Sequence, residues 1–76
     1  MIPKNLQNDF YEGRTNSIVK FVINDSVEVV DGEFKGKKCS VISIQAIEPE
    51  VVLMIERGDN GALITVPQAS LVSLQV

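Results

Sequence analysis

The chain has no histidine and no tryptophan, and Cys39 is its only cysteine. A disulfide framework needs pairs of cysteines and a structural zinc site needs about four Cys or His ligands, so neither forms within one copy of the chain. Without histidine the commonest general base is missing. No glycine-rich phosphate loop opens a helix, and no carboxylates are forced together except Glu48 and Glu50, which flank Pro49 in an expected exposed loop. The expectation is therefore a protein that is not an enzyme, with no cofactor, no metal and no small-molecule substrate. Long hydrophobic runs are also lacking. A membrane helix requires roughly 20 apolar residues, and the opening "MIPKNLQNDF" has neither the basic start nor the apolar core of a secretion signal. Together with the lone cysteine, this reads as a cytoplasmic, reduced protein with no membrane partner.

Basic charge is scarce as well. Seven Lys and Arg stand against ten Asp and Glu, a net charge of −3, which argues against a broad nucleic-acid surface and leaves a local patch open. What the chain does have is apolar residues, 45% against 22% charged, the composition of a folded protein and not of a disordered one. At 76 residues it is one domain at most, near the size where a single core only just offsets chain entropy. Every apolar strand face must be used.

Residues 1–17 form an N-terminal arm. Pro3 near a start, Leu6 and Phe10 four apart and Gly13 as a stop permit one short helix, an irregular arm being the alternative. Residues 18–76 change character to short β-branched runs separated by turn residues, the pattern of an all-β domain. The runs "SIVKFVI" and "SVEVV" are divided at Asn24-Asp25, a pair that bends the chain through side-chain hydrogen bonds to nearby backbone. A strand from Lys38 to Ile44 follows, then "VVLMIE" after the break at Pro49. "RGDNG" is a hairpin signal, and "ALITV" is the returning strand, closed by Pro67. "PQASL" is too short for a helix and suits a single tight turn before a last strand, Val72 to Gln75. Five strands are expected after the arm. A small closed or nearly closed barrel is the economical solution, because closure removes the edges that invite aggregation.

The stretch "NDSVEVVDGEFKGKKCSVISI" resembles a KOW motif, the segment found in SH3-like barrels of several ribosomal large-subunit proteins and transcription elongation factors. The matching features are the alternating Val27 and Val29, Gly32, the apolar Phe34, the signature Gly36 followed by lysine, and Val41 in the next strand. "VVLMIE" and "VPQASLVSL" are similar to the strand, short 3₁₀ turn and closing strand of the same barrels, so the resemblance spans Asp25 to Leu74. Where the pattern usually has a second glycine after the lysines, this chain has Cys39. The resemblance implies a small five-stranded SH3-like barrel with an N-terminal arm or short helix. It also implies a binding module that docks on RNA or a ribonucleoprotein of the translation or transcription machinery.

Gly32, Phe34, Lys35, Gly36, Lys37 and Lys38 are the residues that would carry such docking. The loop gathers three of the chain's seven Lys and Arg against the single Glu33. Each lysine beside a phosphate would release counterions. The bland alternative is a solvated turn that keeps an edge soluble, with the two glycines supplying positive φ and Phe34 folding back to cover the barrel's open end. The run "VVLMI", residues 51–55, raises a second question. Val51, Leu53 and Ile55 point to one side of a strand and Val52 and Met54 to the other, so both faces need cover. The arm, with Leu6, Phe10 and Tyr11, folds over the outer face, or a partner protein or second copy of the chain covers it, with Val52, Met54, Phe10 and Tyr11 as a protein interface; both hold if the arm is exchanged between copies. Arg57-Gly58-Asp59 resembles an integrin-binding tripeptide, but a hairpin turn explains it better. Cys39 is expected to point inward as a small apolar residue, the alternative being an exposed thiol activated by the adjacent lysines.

Overall fold

The structure is a computed structural model that describes residues 2–74. It begins with helix α1 (Lys4–Tyr11) and continues with β1 (Ser26–Val29), β2 (Lys38–Ala46), β3 (Val52–Arg57) and β4 (Leu63–Pro67). A 3₁₀ turn (Gln68–Ser70) then leads into β5 (Leu71–Ser73). The five strands form one antiparallel sheet in the order β4-β3-β2-β1-β5. Gln75, expected in the last strand, lies outside the described residues.

Local chemistry sets the limits of α1. The Pro3 carbonyl accepts the first helical hydrogen bonds, from the N–H groups of Leu6 and Gln7, and proline's fixed φ suits a helix start. At the other end Gly13 takes φ 81°, the Gly13 N–H donates to Phe10 O, and the Arg14 N–H donates to Asp9 O. That paired arrangement closes the last turn by satisfying carbonyls that the helix leaves open. The helix is short, so packing must hold it. Leu6 and Phe10, one turn apart, are both buried, and Phe10 is 1% exposed.

The run "SIVKFVI" forms no strand. Its backbone donors find other acceptors: Ile23 N–H donates to Phe10 O, Val22 N–H to the Asp25 carboxylate, and Lys20 N–H to the Gln68 side-chain oxygen. Asn16 holds the entry to this stretch, its Oδ1 accepting from the N–H groups of Ile18 and Val19 at 2.8 Å each. The bend expected at Asn24-Asp25 is present, with Asn24 at φ 72°. β propensity in this run is spent on burial: Val19 and Val22 enter the interior from an irregular connector.

In the sheet, Val27, Val29, Cys39, Val41, Ile44, Leu53, Ile55, Val66 and Leu71 share one core cluster with Phe10 and Val19. Strict alternation would turn Val41, Ser43 and Gln45 to the same side. Instead β2 carries register shifts between Val41 and Ser43 and between Ile44 and Ala46, so Val41 pairs with Ile55 and Ile44 with Leu53. Each shift adds an unpaired residue and resets the phase, which keeps Ile44 inward and bends the long strand.

The ladders leave the sheet unclosed, where the sequence leads to a closed or nearly closed barrel. β4 and β5 are the two edges of an open sheet. The physical reason lies in the arm and connector: Phe10 and Val19 are buried among the inward strand residues, so the inner face is covered without closure. Arm and sheet thus share a single core.

Candidate nucleic-acid interface

The loop between β1 and β2 is held closed at its neck, where the Val29 N–H donates to Lys37 O at 3.0 Å and the Gly36 N–H donates to Val29 O at 2.7 Å. Within it the Lys37 N–H donates to Phe34 O at 3.0 Å. Gly32 and Gly36 adopt φ 78° and 89°, as the sequence pattern requires. A Cβ at either position would meet nothing within 4 Å, so it is backbone conformation and not space that calls for glycine there. Phe34 is half-buried and packs against the core. The loop is a pinned turn that carries three lysines and one half-buried aromatic ring.

Its three lysines are not equivalent. Lys35 and Lys38 are exposed and make no ion pair among the described residues, Lys38 standing opposite Glu28 in the β1–β2 ladder. The Lys37 Nζ lies 3.5 Å from a carboxylate oxygen of Asp59. That contact comes from a second hairpin. β3 and β4 are joined through residues 58–62, with the Gly61 N–H donating to Arg57 O and the Arg57 N–H to Ala62 O, the turn that "RGDNG" predicts. The Gly58 N–H donates to Lys38 O at 3.0 Å, and a Cβ on Gly58 would sit 3.1 Å from that same oxygen. The glycine lets the second hairpin lie directly against the start of β2.

Arg57 and Asp59 are the site residues that sequence reasoning missed as part of this surface. Arg57 Nε and Nη2 donate to the two Asp59 carboxylate oxygens at 3.0 and 2.7 Å, a bidentate pair. The guanidinium carbon also lies 5.8 Å from the centre of the Phe34 ring. Hydrogen bonding from Arg57, aided by the charges of Arg57 and Lys37, holds the Asp59 carboxyl below its ordinary value, and the same pairing raises Arg57. A signal for this neighbourhood did exist. Matching inward apolar residues of β2 and β3 places Val41 against Ile55 and hence Arg57 against Cys39, next to Lys38. Between the two hairpins lies an open cleft of about 480 Å³ lined by Gly36, Lys37, Lys38, Gly58 and Asp59.

Cys39 is 5% exposed, and burial pushes its thiol above the ordinary value, with Arg57 pulling the other way. It is therefore a small core residue and not an activated thiol.

On the second surface, Leu53 and Ile55 are fully buried while Val52 and Met54 are half-buried on the opposite face. Met54 is flanked across the ladders by Ser43 and Thr65, and Val52 by Ala46 and Pro67. Phe10 does not cover this face, because it is buried in the core with Leu53. Phe10 therefore offers no surface to a partner. Tyr11 is 48% exposed, with its hydroxyl 3.4 Å from Ser43 Oγ.

No protein-family model matches the chain, and no curated protein or solved structure does either. Among the described residues no helix is long and apolar enough to cross a membrane. The chain is a small, mostly β protein: a five-stranded antiparallel sheet with one short helix on its inner face.

Proposed function

We propose that this protein is a non-enzymatic binding module of the SH3-like, KOW type that docks on RNA or a ribonucleoprotein through the loop of residues 32–38. Five antiparallel strands with a 3₁₀ turn before the last support the SH3-like assignment. The docking role rests on one observation above the others. Lys35 and Lys38 project, without ion-pair partners among the described residues, from a loop pinned by two positive-φ glycines. A pinned loop loses little conformational entropy on binding, and lysine recognises phosphate as a point charge. The absence of an exposed aromatic platform makes the contact one to the backbone and not to the bases.

The test is fluorescence anisotropy with a labelled single-stranded RNA at several salt concentrations. Binding that weakens as salt rises, by about 0.7 in log K per log salt for each phosphate contacted, is expected. Replacing Lys35 and Lys38 together by Ala should flatten that slope by about 1.4. No binding, or affinity indifferent to salt, refutes the proposal.

A second reading, a protein–protein adaptor or small homo-oligomer, is favoured by the outer face, where Val52 and Met54 are only half-buried and Leu63 is 55% exposed nearby on β4. Light scattering tests the oligomer. A dimer that Met54→Glu dissociates without unfolding would favour it, and a monomer that stays monomeric on concentration would remove it.

A further inference from the structure

The cleft between the two hairpins contains an unusual tenant. The Asp59 carboxylate stands between two cations, bidentate on Arg57 and within reach of Lys37, in a cleft that also opens to Lys38 and to the backbones of Gly36 and Gly58. Two cations converging on paired oxygens is the coordination a phosphodiester oxyanion receives. The partners differ in how firmly they are held. The Arg57 side chain is 18% exposed, with its guanidinium beside Phe34, whereas Asp59 is 49% exposed on a hairpin turn. Arg57 is thus the enclosed half of the pair and Asp59 the solvent-facing half.

We propose that Asp59 occupies, in the free chain, the place that a phosphate of a bound RNA strand takes between Arg57 and Lys37, so that the basic surface neutralises itself until a polyanion displaces the carboxylate. This deepens the docking proposal and rests on it. It adds Arg57 to the phosphate-contacting set and makes Asp59 a built-in competitor. It also accounts for the charge pattern of an acidic chain. A standing cluster of unpaired cations would attract any polyanion, whereas a carboxylate across two of them means that only a ligand already engaged by Lys35 and Lys38 displaces it.

The experiment compares the wild-type chain, Asp59→Asn, Arg57→Gln and the double variant, each full length, for binding to fluorescein-labelled oligouridine RNA in low salt. Asparagine suits the turn, and Asp59→Ser serves as a second variant should Asn disturb it; amide NMR spectra check that each remains folded. Asp59→Asn is expected to tighten binding about fivefold, the equivalent of no longer having to break one ion pair of unit charges about 4 Å apart in water. In the Arg57→Gln background the same substitution should gain less than about twofold, because the vacated place no longer has its principal cation. An equal gain in both backgrounds would show a diffuse charge effect and overturn the competitor role, as would binding that depends on Lys35 and Lys38 but ignores Asp59. If neither the wild type nor Asp59→Asn binds RNA, the docking proposal itself falls and the competitor falls with it. If only Asp59→Asn binds, both stand.

Discussion

Phe10→Ala is the most informative single change in this protein, because it tests whether the arm belongs to the core. The ring is 1% exposed and clustered with Val19, Leu53 and Ile55. Truncating a buried Phe to Ala costs about 3–5 kcal/mol through lost transfer free energy and the cavity left behind. A 76-residue chain has a total stability of roughly 4–11 kcal/mol, at about 0.05–0.15 kcal/mol per residue, so the loss is a large share of it. The effect should also be local. α1 is eight residues long and has only Leu6 and Phe10 buried, so without the ring the helix loses most of its anchorage. Urea unfolding followed by far-UV circular dichroism and by the fluorescence of Tyr11, the only tyrosine in a chain without tryptophan, reads both consequences. The melting temperature should fall by at least about 12 °C for a 3 kcal/mol loss, at roughly 4 °C or more per kcal/mol. Met54→Ala, on the outer face, is the control and should cost about 1 kcal/mol or less. If Phe10→Ala loses under about 1 kcal/mol, or if Met54→Ala loses as much as Phe10→Ala, the assignment of the arm to the inner core is refuted.

Gly36→Ala should destabilise by about 1–2 kcal/mol from the left-handed backbone alone, since its Cβ has open space, and an unchanged urea midpoint would contradict that account. The Gln68 side chain accepts from Lys20 N–H at 2.8 Å and donates to Ile18 O at 3.1 Å, clamping the connector to the 3₁₀ turn. Gln68→Ala should cost about 1–2 kcal/mol and speed hydrogen exchange at the Lys20 amide; exchange at the parent rate would show that the clamp is not closed in solution. Asp59 has a depressed folded-state pKa, so the contribution of its pairing with Arg57 and Lys37 is complete above the ordinary carboxylate range and is lost as pH falls through the folded value. Carboxyl-detected NMR should find Asp59 titrating lower in the folded wild type than in Arg57→Gln, and identical midpoints would remove the pairing.

Much of the architecture was legible because it is governed by neighbours in sequence. Gly13, Gly32 and Gly36 stand where the backbone takes positive φ, "RGDNG" forms the β3–β4 turn, and "PQAS" gives the 3₁₀ turn. Alternation in Val27, Glu28 and Val29 likewise predicted which side faces the core. The run "SIVKFVI", grouped in the sequence with the β-branched runs, forms no strand. β-branched residues there resemble a strand, but Asn16, Asp25 and Gln68 satisfy its donors from outside any ladder. Propensity describes what a residue tolerates, and only the available partners decide which hydrogen bonds it makes.

By itself the sequence determined a single β-rich domain, the positions of its turns, an inward Cys39 and a lysine loop closed by two glycines, all consequences of local conformational preference and binary pattern. Only the tertiary structure decided three things. It sent Phe10 to the inner face and left Val52 and Met54 half-exposed. It kept the sheet open. It also set Arg57 and Asp59 beside the lysine loop, about twenty residues distant in the chain. The reason is shared. Which face an arm covers, whether two edges meet and which hairpins lie side by side depend on the register and bulges of β2, where the addition of one unpaired residue turns everything beyond it to the other side.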